Sequence, residues 1–235
     1  MTHGLSLRPN APAILSLGAA EFVIDPAGAL FWPDESLLIV ADLHLEKGSA
    51  YAARRLFLPP YDTAATLARL DMLIMAHAPR RVLALGDSFH DRWADERLPA
   101  SDRATLQRLQ RGRDWIWIAG NHDPQIPADL GGTCHDELAI GAIVFRHEPR
   151  RNATTWEIAG HLHPAARVVG LGGSVRRRCF VSDDRRCVMP AFGAYAGGLN
   201  WRDPVFATLF AGDSFAHVMG AGRVYKIAAE RCLPD

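Results

Sequence analysis

A chain of 235 residues with 49% hydrophobic and 22% charged residues is long enough to bury a sizeable core and too apolar for a disordered segment. Its 26 basic residues balance its 26 acidic ones, so the chain as a whole lacks the excess of a nucleic-acid or membrane-surface binder, and any such affinity must be local. Residues 1–17 carry no basic cluster followed by a long apolar run, and no stretch approaches the roughly 18 apolar residues of a membrane span, so a cytoplasmic protein is expected.

In chain order, apolar runs bounded by turn residues predict strands at 22–24, 37–41, 82–85, 115–119, 142–145, 156–159 and 206–210. Between them, 62–78 carries Leu67, Leu70, Leu73 and Ile74 at helical spacing, and 101–111 opens on Ser101 as a cap with Leu106 and Leu109 inside. The first half therefore reads βαβαβ. After Gly131 the short turns and missing helical period predict mostly antiparallel strands. No repeat, low-complexity tract or long linker interrupts the chain, which predicts one domain over 1–235. The economical architecture is α/β (α+β): two sheets stacked face to face, with helices outside the first. Cys134, Cys179, Cys187 and Cys232 show neither a Cys-x-x-Cys pair nor a disulfide framework and are expected to be buried, reduced thiols.

The polar residues with chemistry follow the predicted strands. The run 38–41 leads into Asp42-Leu43-His44, where alternation along a strand lets Asp42 and His44 project the same way as a chelating pair. The run 83–85 leads into Gly86-Asp87-Ser88-Phe89-His90-Asp91, and 116–119 into Gly120-Asn121-His122-Asp123. The run 143–145 leads to His147, and 158–159 to Gly160-His161-Leu162-His163. Carboxylate, amide carbonyl and imidazole without thiolate form a donor set for Mn²⁺, Fe or Zn²⁺. Taken singly, Gly-Asp and Gly-Asn are common turns and His147 reads as a structural histidine. Five such strings in order, each at a strand end, favour a metal centre.

That order resembles the calcineurin-like metallophosphoesterases from about Leu38 to Pro164. The resemblance implies a four-layer αββα sandwich of two stacked, mostly mixed sheets flanked by helices, and a hydrolase that uses two metal ions. It implies that Asp42, His44, Asp87 and His163 hold one metal, and Asp87, Asn121, His147 and His161 the other, with Asp87 bridging. Two such ions activate water and clamp the oxygens of an in-line displacement. His122 matches the leaving-group acid, and His90, Asp91 and Asp123 lie behind the ligands. Many relatives read Gly-Asp-x-x-Asp, the last Asp orienting the histidine of Gly-Asn-His. Here His90 fills that position and Asp91 follows, so either could take the role. Purple acid phosphatases place a tyrosine ligand at position 90, and its absence argues for Mn²⁺ over a ferric tyrosinate centre.

A narrower resemblance, to the bacterial DNA-ligase-associated phosphoesterases of the DNA-damage-response endonuclease type, rests on four strings. They are Ala41-Asp42-Leu43-His44-Leu45-Glu46-Lys47-Gly48, the 86–91 string, Gly160-His161-Leu162-His163-Pro164, and Pro190-Ala191-Phe192-Gly193-Ala194-Tyr195 running on to Gly198-Leu199-Asn200. It implies work beside a DNA ligase, a helicase and a nuclease in repair, and does not by itself fix the substrate. From 146 to 186, nine arginines face four acids, which makes Arg176, Arg177 and Arg178 candidates for phosphate contact. The chain has only two lysines, Lys47 and Lys226, so arginine is also its usual cation and the run could simply sit on an exposed strand. A phosphodiesterase or endonuclease acting on DNA or RNA, a small-nucleotide phosphodiesterase or phosphomonoesterase, and an inactive scaffold are the three readings. Every ligand position and His122 are filled, which ranks the scaffold last.

Overall fold

The computed structural model describes residues 12–170, 172–210 and 212–235; the leader reading of the first residues falls largely on 1–11, outside them. The first sheet has seven strands in sequence order: β1 (Ala13–Leu17), β2 (Ala20–Asp25), β3 (Ala29–Trp32), β4 (Leu37–Val40), β5 (Arg81–Leu85), β6 (Asp114–Ile118) and β7 (Thr133–His135). Strands β1 to β4 form an antiparallel meander, and β4 to β7 run parallel. Helices α1 (Lys47–Ala53), α2 (Asp62–His77), α3 (Ala94–Arg97) and α4 (Ala100–Gln110) lie in the parallel crossovers.

The second sheet contains β8 (Glu137–Ile140), β9 (Ile143–Arg146), β10 (Trp156–Ala159), β11 (Ala165–Gly170), β12 (Gly173–Ser182), β13 (Arg186–Val188), β14 (Phe215–Met219) and β15 (Val224–Ala228). Its centre, β9-β10-β13, is parallel and the other pairings are antiparallel, which makes it a mixed sheet.

Alternation along the strands builds the layers. Leu37 and Ile39 of β4, with Leu83 and Leu85 of β5, enter a core shared with Phe145, Ile158 and Phe180 of the second sheet. Leu38, Val40, Val82 and Ala84 point the other way, against Leu67, Leu70, Leu73 and Ile74 of α2 and Leu106 and Leu109 of α4. Each such side chain contributes about 1.5–3 kcal/mol when fully buried, far more than helix propensity does. The far face of the second sheet is closed by Trp201, Phe206 and Phe210, around the short helix α5 (Pro204–Ala207). The layers are thus α-β-β-α, the fourth being thin.

The structure departs from three sequence expectations. Residues 206–210 form no strand: Asp203 caps α5 by accepting from the Val205 amide at 3.0 Å, and Pro204 starts the helix. Helix α4 starts one residue before Ser101, behind Pro99, with no side-chain cap. Of the four free cysteines, Cys134 is exposed and only the other three are buried. Among the described residues, no helix is long and apolar enough to cross a membrane.

Buried His217 on β14 bonds Ser182 Oγ through Nε2 at 2.8 Å. Burial, helped by Lys226, lowers its pKa from 6.5 to about 4. Above pH 6.5 the ring is neutral folded or unfolded and costs nothing. As pH falls from 6.5 to about 4 the unfolded chain takes up a proton that the folded one refuses, so stability drops by up to about 3 kcal/mol. His217→Gln, which keeps a polar partner for Ser182 without the titration, should show a shallower loss than wild type in urea midpoints compared at pH 7.5 and pH 4.5.

Candidate metal centre

Parallel strands release their chains at a common edge, and β4, β5 and β6 of one sheet meet β9 and β10 of the other there. Strand alternation does not aim the two Asp/His pairs, because β4 already ends at Val40 and β10 at Ala159. Instead Asp42, His44, Asp87, His161 and His163 sit in loops with φ of 54°, 44°, 45°, 70° and 47°. That left-handed region is strained for side chains with a Cβ, Asp and His being among those that tolerate it best.

Among the described residues three groups of ligand atoms result, each with its atoms within 4.8 Å of one another: Asp42–His44–His163 and Asp87–His147–His161, which hold the carboxylates, and the all-histidine His44–His90–His122. In the first, His163 Nε2 lies 3.2 Å from Asp42 Oδ1 and 3.3 Å from His44 Nε2. In the second, His147 Nε2 lies 2.9 Å from Asn121 Oδ1, 3.1 Å from His161 Nδ1 and 3.4 Å from Asp87 Oδ1. The other Asp87 oxygen faces the first group, 3.9 Å from His44 Nε2, so this carboxylate stands between the two. His147 donates from Nδ1 to the Leu85 carbonyl at 3.0 Å, which turns its Nε2 toward the centre.

Both carboxylates are held from behind by backbone of another loop. The His122 amide donates to Asp87 Oδ1 at 3.0 Å, and the His161 amide to Asp42 Oδ2 at 3.0 Å. Such approaches require glycine just before the histidine strings. A Cβ on Gly120 would come within 2.2 Å of the Asp87 amide nitrogen, and one on Gly160 within 2.5 Å of Asp42 Oδ2.

His122 Nδ1 donates to the backbone carbonyl of His90, so neither the His90 nor the Asp91 side chain orients it. The His90 ring lies edge-on to His44 and beside His122, with centroids 5.5 and 5.4 Å away. Asp91 turns outward to a bidentate pair with Arg97, both contacts 2.9 Å. Buried Asp123 accepts from the Phe89 amide at 3.0 Å and so braces the loop that carries Asp87.

The arginine run divides. Arg176 is exposed and pairs with Asp235 at 3.0 Å, and Arg177 is exposed. Arg178 turns inward, its guanidinium reaching the carbonyls of Ala191 at 3.0 Å and Gly193 at 2.9 Å, so it holds a loop. Arg146 and Arg186 are likewise buried against Glu157. Much of the local positive count is structural.

The empty-handed electrostatics fit cations. Among the described residues, buried Asp42 and Asp87 pair with no lysine or arginine, only with histidines. Burial, reinforced by His163, pushes His44 down to about 3, so its ring is neutral and its lone pair available at neutral pH. Burial and the neighbouring His147 also lower His161. For His147 burial is outweighed by the Asp87 hydrogen bond and the fields of both carboxylates, which raise it to about 9. Two buried anions here attract positive charge, and a mixed oxygen and nitrogen set without thiolate suits hard or borderline divalent ions.

A rim beside the His44–His90–His122 side was missed in the sequence. Tyr51 of α1 lies 5.8 Å from the His90 ring, and Arg54 and Lys47 both act on that histidine. The loop 54–61 continues from α1 with Phe57 84% and Tyr61 69% exposed, and Trp93, two residues past Asp91, is 53% exposed under Arg92. The string Arg54-Arg55-Leu56-Phe57-Leu58-Pro59-Pro60-Tyr61 signals this, since two prolines keep its apolar residues out of any helix.

The profile of the calcineurin-like phosphoesterase family matches residues 36–213. Among solved structures, the Pseudomonas putida nuclease MPE is 27% identical, with a TM-score of 0.71, over 92% of this chain and 100% of its own. The phosphoesterase Yfce from E. coli is 12% identical with a TM-score of 0.42, over 82% of this chain and 98% of its own. No curated protein matches the sequence. Gly120→Ala, which drives a methyl into the Asp87 loop, should weaken divalent-metal binding by about 10–100-fold in calorimetric titration while far-UV dichroism stays unchanged.

Proposed function

The chain belongs to the calcineurin-like phosphoesterase family and hydrolyses phosphate esters, and from that premise we propose a two-metal phosphodiesterase that cuts a nucleic-acid strand. The observation that carries the substrate is the rim. Phe57, Tyr61 and Trp93 are exposed aromatic residues for bases, close in sequence to Arg54, Arg55 and Arg92 for phosphates, on segments that continue from Tyr51, 5.8 Å from the His90 ring, and from Asp91. A small nucleotide or phosphomonoester needs no such surface. Likeness to a solved nuclease supports the same reading. Work in DNA repair in the cytoplasm, beside a ligase, a helicase and a nuclease, belongs to this proposal through the subgroup strings.

Asp42, His44 and His163 with Asp87 hold one ion in this reading, and Asp87, Asn121, His147 and His161 the second, both Mn²⁺. When bound, the ions supply Lewis acidity that activates water and offsets charge on the phosphate. His122, its Nδ1 fixed by the His90 carbonyl, keeps Nε2 on the Asp87 side, 3.9 Å from Oδ2, where a proton can pass to a departing oxygen. Glycine at 120 and 160 lets the loops close around both carboxylates.

Two contrasts test the chemistry. Asp87→Asn should lose hydrolysis together with metal. His122→Ala should keep its metal and slow esters with basic leaving groups by about 10²–10⁴-fold, activated aryl esters much less, in steady-state rates measured at saturating Mn²⁺. Equal loss for both esters, with metal gone, would make His122 a ligand.

The substrate is tested at the rim. Stacking contributes about 1–3 kcal/mol per base, so Phe57→Ala with Trp93→Ala should weaken oligonucleotide binding at least tenfold and leave cleavage of bis(p-nitrophenyl) phosphate unchanged. Unchanged oligonucleotide affinity would move the substrate to a small diester.

A further inference from the structure

Glu157 is the most deeply buried charge away from the centre, at 0% exposure in the middle of β10. A lone buried carboxylate is costly, so its partners define what it does. Arg146 at the end of β9 reaches its Oε2 through Nη1, and Arg186 at the start of β13 brings Nε to 2.8 Å from its Oε1. Both arginines are themselves buried. The Arg150 amide also donates to Oε2, at 3.2 Å, and the Arg150 carbonyl accepts from Arg186. One carboxylate thus fastens three parallel strands and the start of the connection between two of them. Glu137 closes the network at the surface, 3.1 Å from Arg146 Nη2 and 2.9 Å from Arg150 Nη2.

What these groups adjoin gives the network its meaning. Arg146 immediately precedes His147, Ala159 of the Glu157 strand lies two residues before His161, and the Gly160 amide donates to the His147 carbonyl at 2.9 Å. Residues 147–150 form the segment that Glu157 and Arg186 pin at Arg150. The parallel backbone ladders set the register of these strands; the buried charges add directed attraction at the strand ends, through the Arg146 and Arg150 hydrogen bonds to Oε2 and the close ion pair of Arg186 with Oε1.

We infer that Glu157 is a positioning residue for the half of the centre built by His147 and His161, setting the separation of those two rings through Arg146 and Arg186. The inference rests on the metal-centre reading above. Asp42, His44 and His163 gain nothing from it directly, since among the described residues no member of the network pairs or hydrogen-bonds with them, so the effect should be selective.

The test is Mn²⁺ binding by calorimetry and electron paramagnetic resonance on the full chain. Wild type should bind two ions; failure of wild type to bind two sinks the metal-centre reading itself. With two bound in wild type, Glu157→Gln should weaken one ion by about 10–100-fold and the other by less than about threefold. Two ions bound with wild-type affinity, or both weakened equally, would overturn the positioning role and leave Glu157 a purely structural charge. Should Glu157→Gln fail to fold, Glu137→Gln at the exposed end decides: a smaller weakening of the same single ion supports the inference, and unchanged binding of both overturns it.

Discussion

Two hydrogen bonds hold the rim together: the amide of His122 to Asp87, and the amide of His161 to Asp42. Each joins the backbone of one loop to the carboxylate of another, and a charge-assisted bond of this kind is shorter and about twice as strong as a neutral one. The carboxylates cannot turn without breaking them, and the loops cannot separate while they last. Every other distance in the centre follows, since His147, His44 and His163 pack against carboxylates whose directions are already set. The second bond also crosses between the sheets, so the site is part of what aligns them.

The candidate residues were legible in the sequence wherever they lay in short strings after an apolar run. Asp42, His44, Asp87, Asn121, His147, His161 and His163 come together as those strings imply. The route differs from the expected one, because strand alternation is local and visible whereas left-handed loop conformations are set by contacts from elsewhere. Residues 206–210 look like a strand by hydropathy, and only the Asp203-Pro204 pair ahead of them records the helix start. Edge strands such as β7 and β15 escape because they are short and bury none of their side chains fully. Charge counting likewise says how many arginines a segment has and nothing of where they point. On β12, Arg176 and Arg177 face solvent while Arg178 clamps a loop.

That use of arginine runs through the second sheet. Its loops are not anchored by long helices, so their carbonyls need other donors. Arg178 supplies five contacts along 191–196, and Arg186 reaches the carbonyls of Leu209 and Arg150. A planar fork with five N–H groups does this better than lysine could. The segment so held lies directly beneath the Asp42 loop, where the Gly193 amide donates to the Asp42 carbonyl at 3.1 Å. Guanidinium groups thus act here as internal scaffolding.

Of nine non-glycine residues with positive φ among the described residues, five are candidate ligands. Unusual backbone costs of order 1–3 kcal/mol per residue, and it persists only where surroundings enforce it. Glycine would relax each of these positions and abolish the donor it carries. Robustness and chemistry therefore pull in opposite directions at the same five positions, so gains in heat tolerance have to come from the apolar layers and the outer helices, where no candidate ligand holds the backbone in an unfavourable shape.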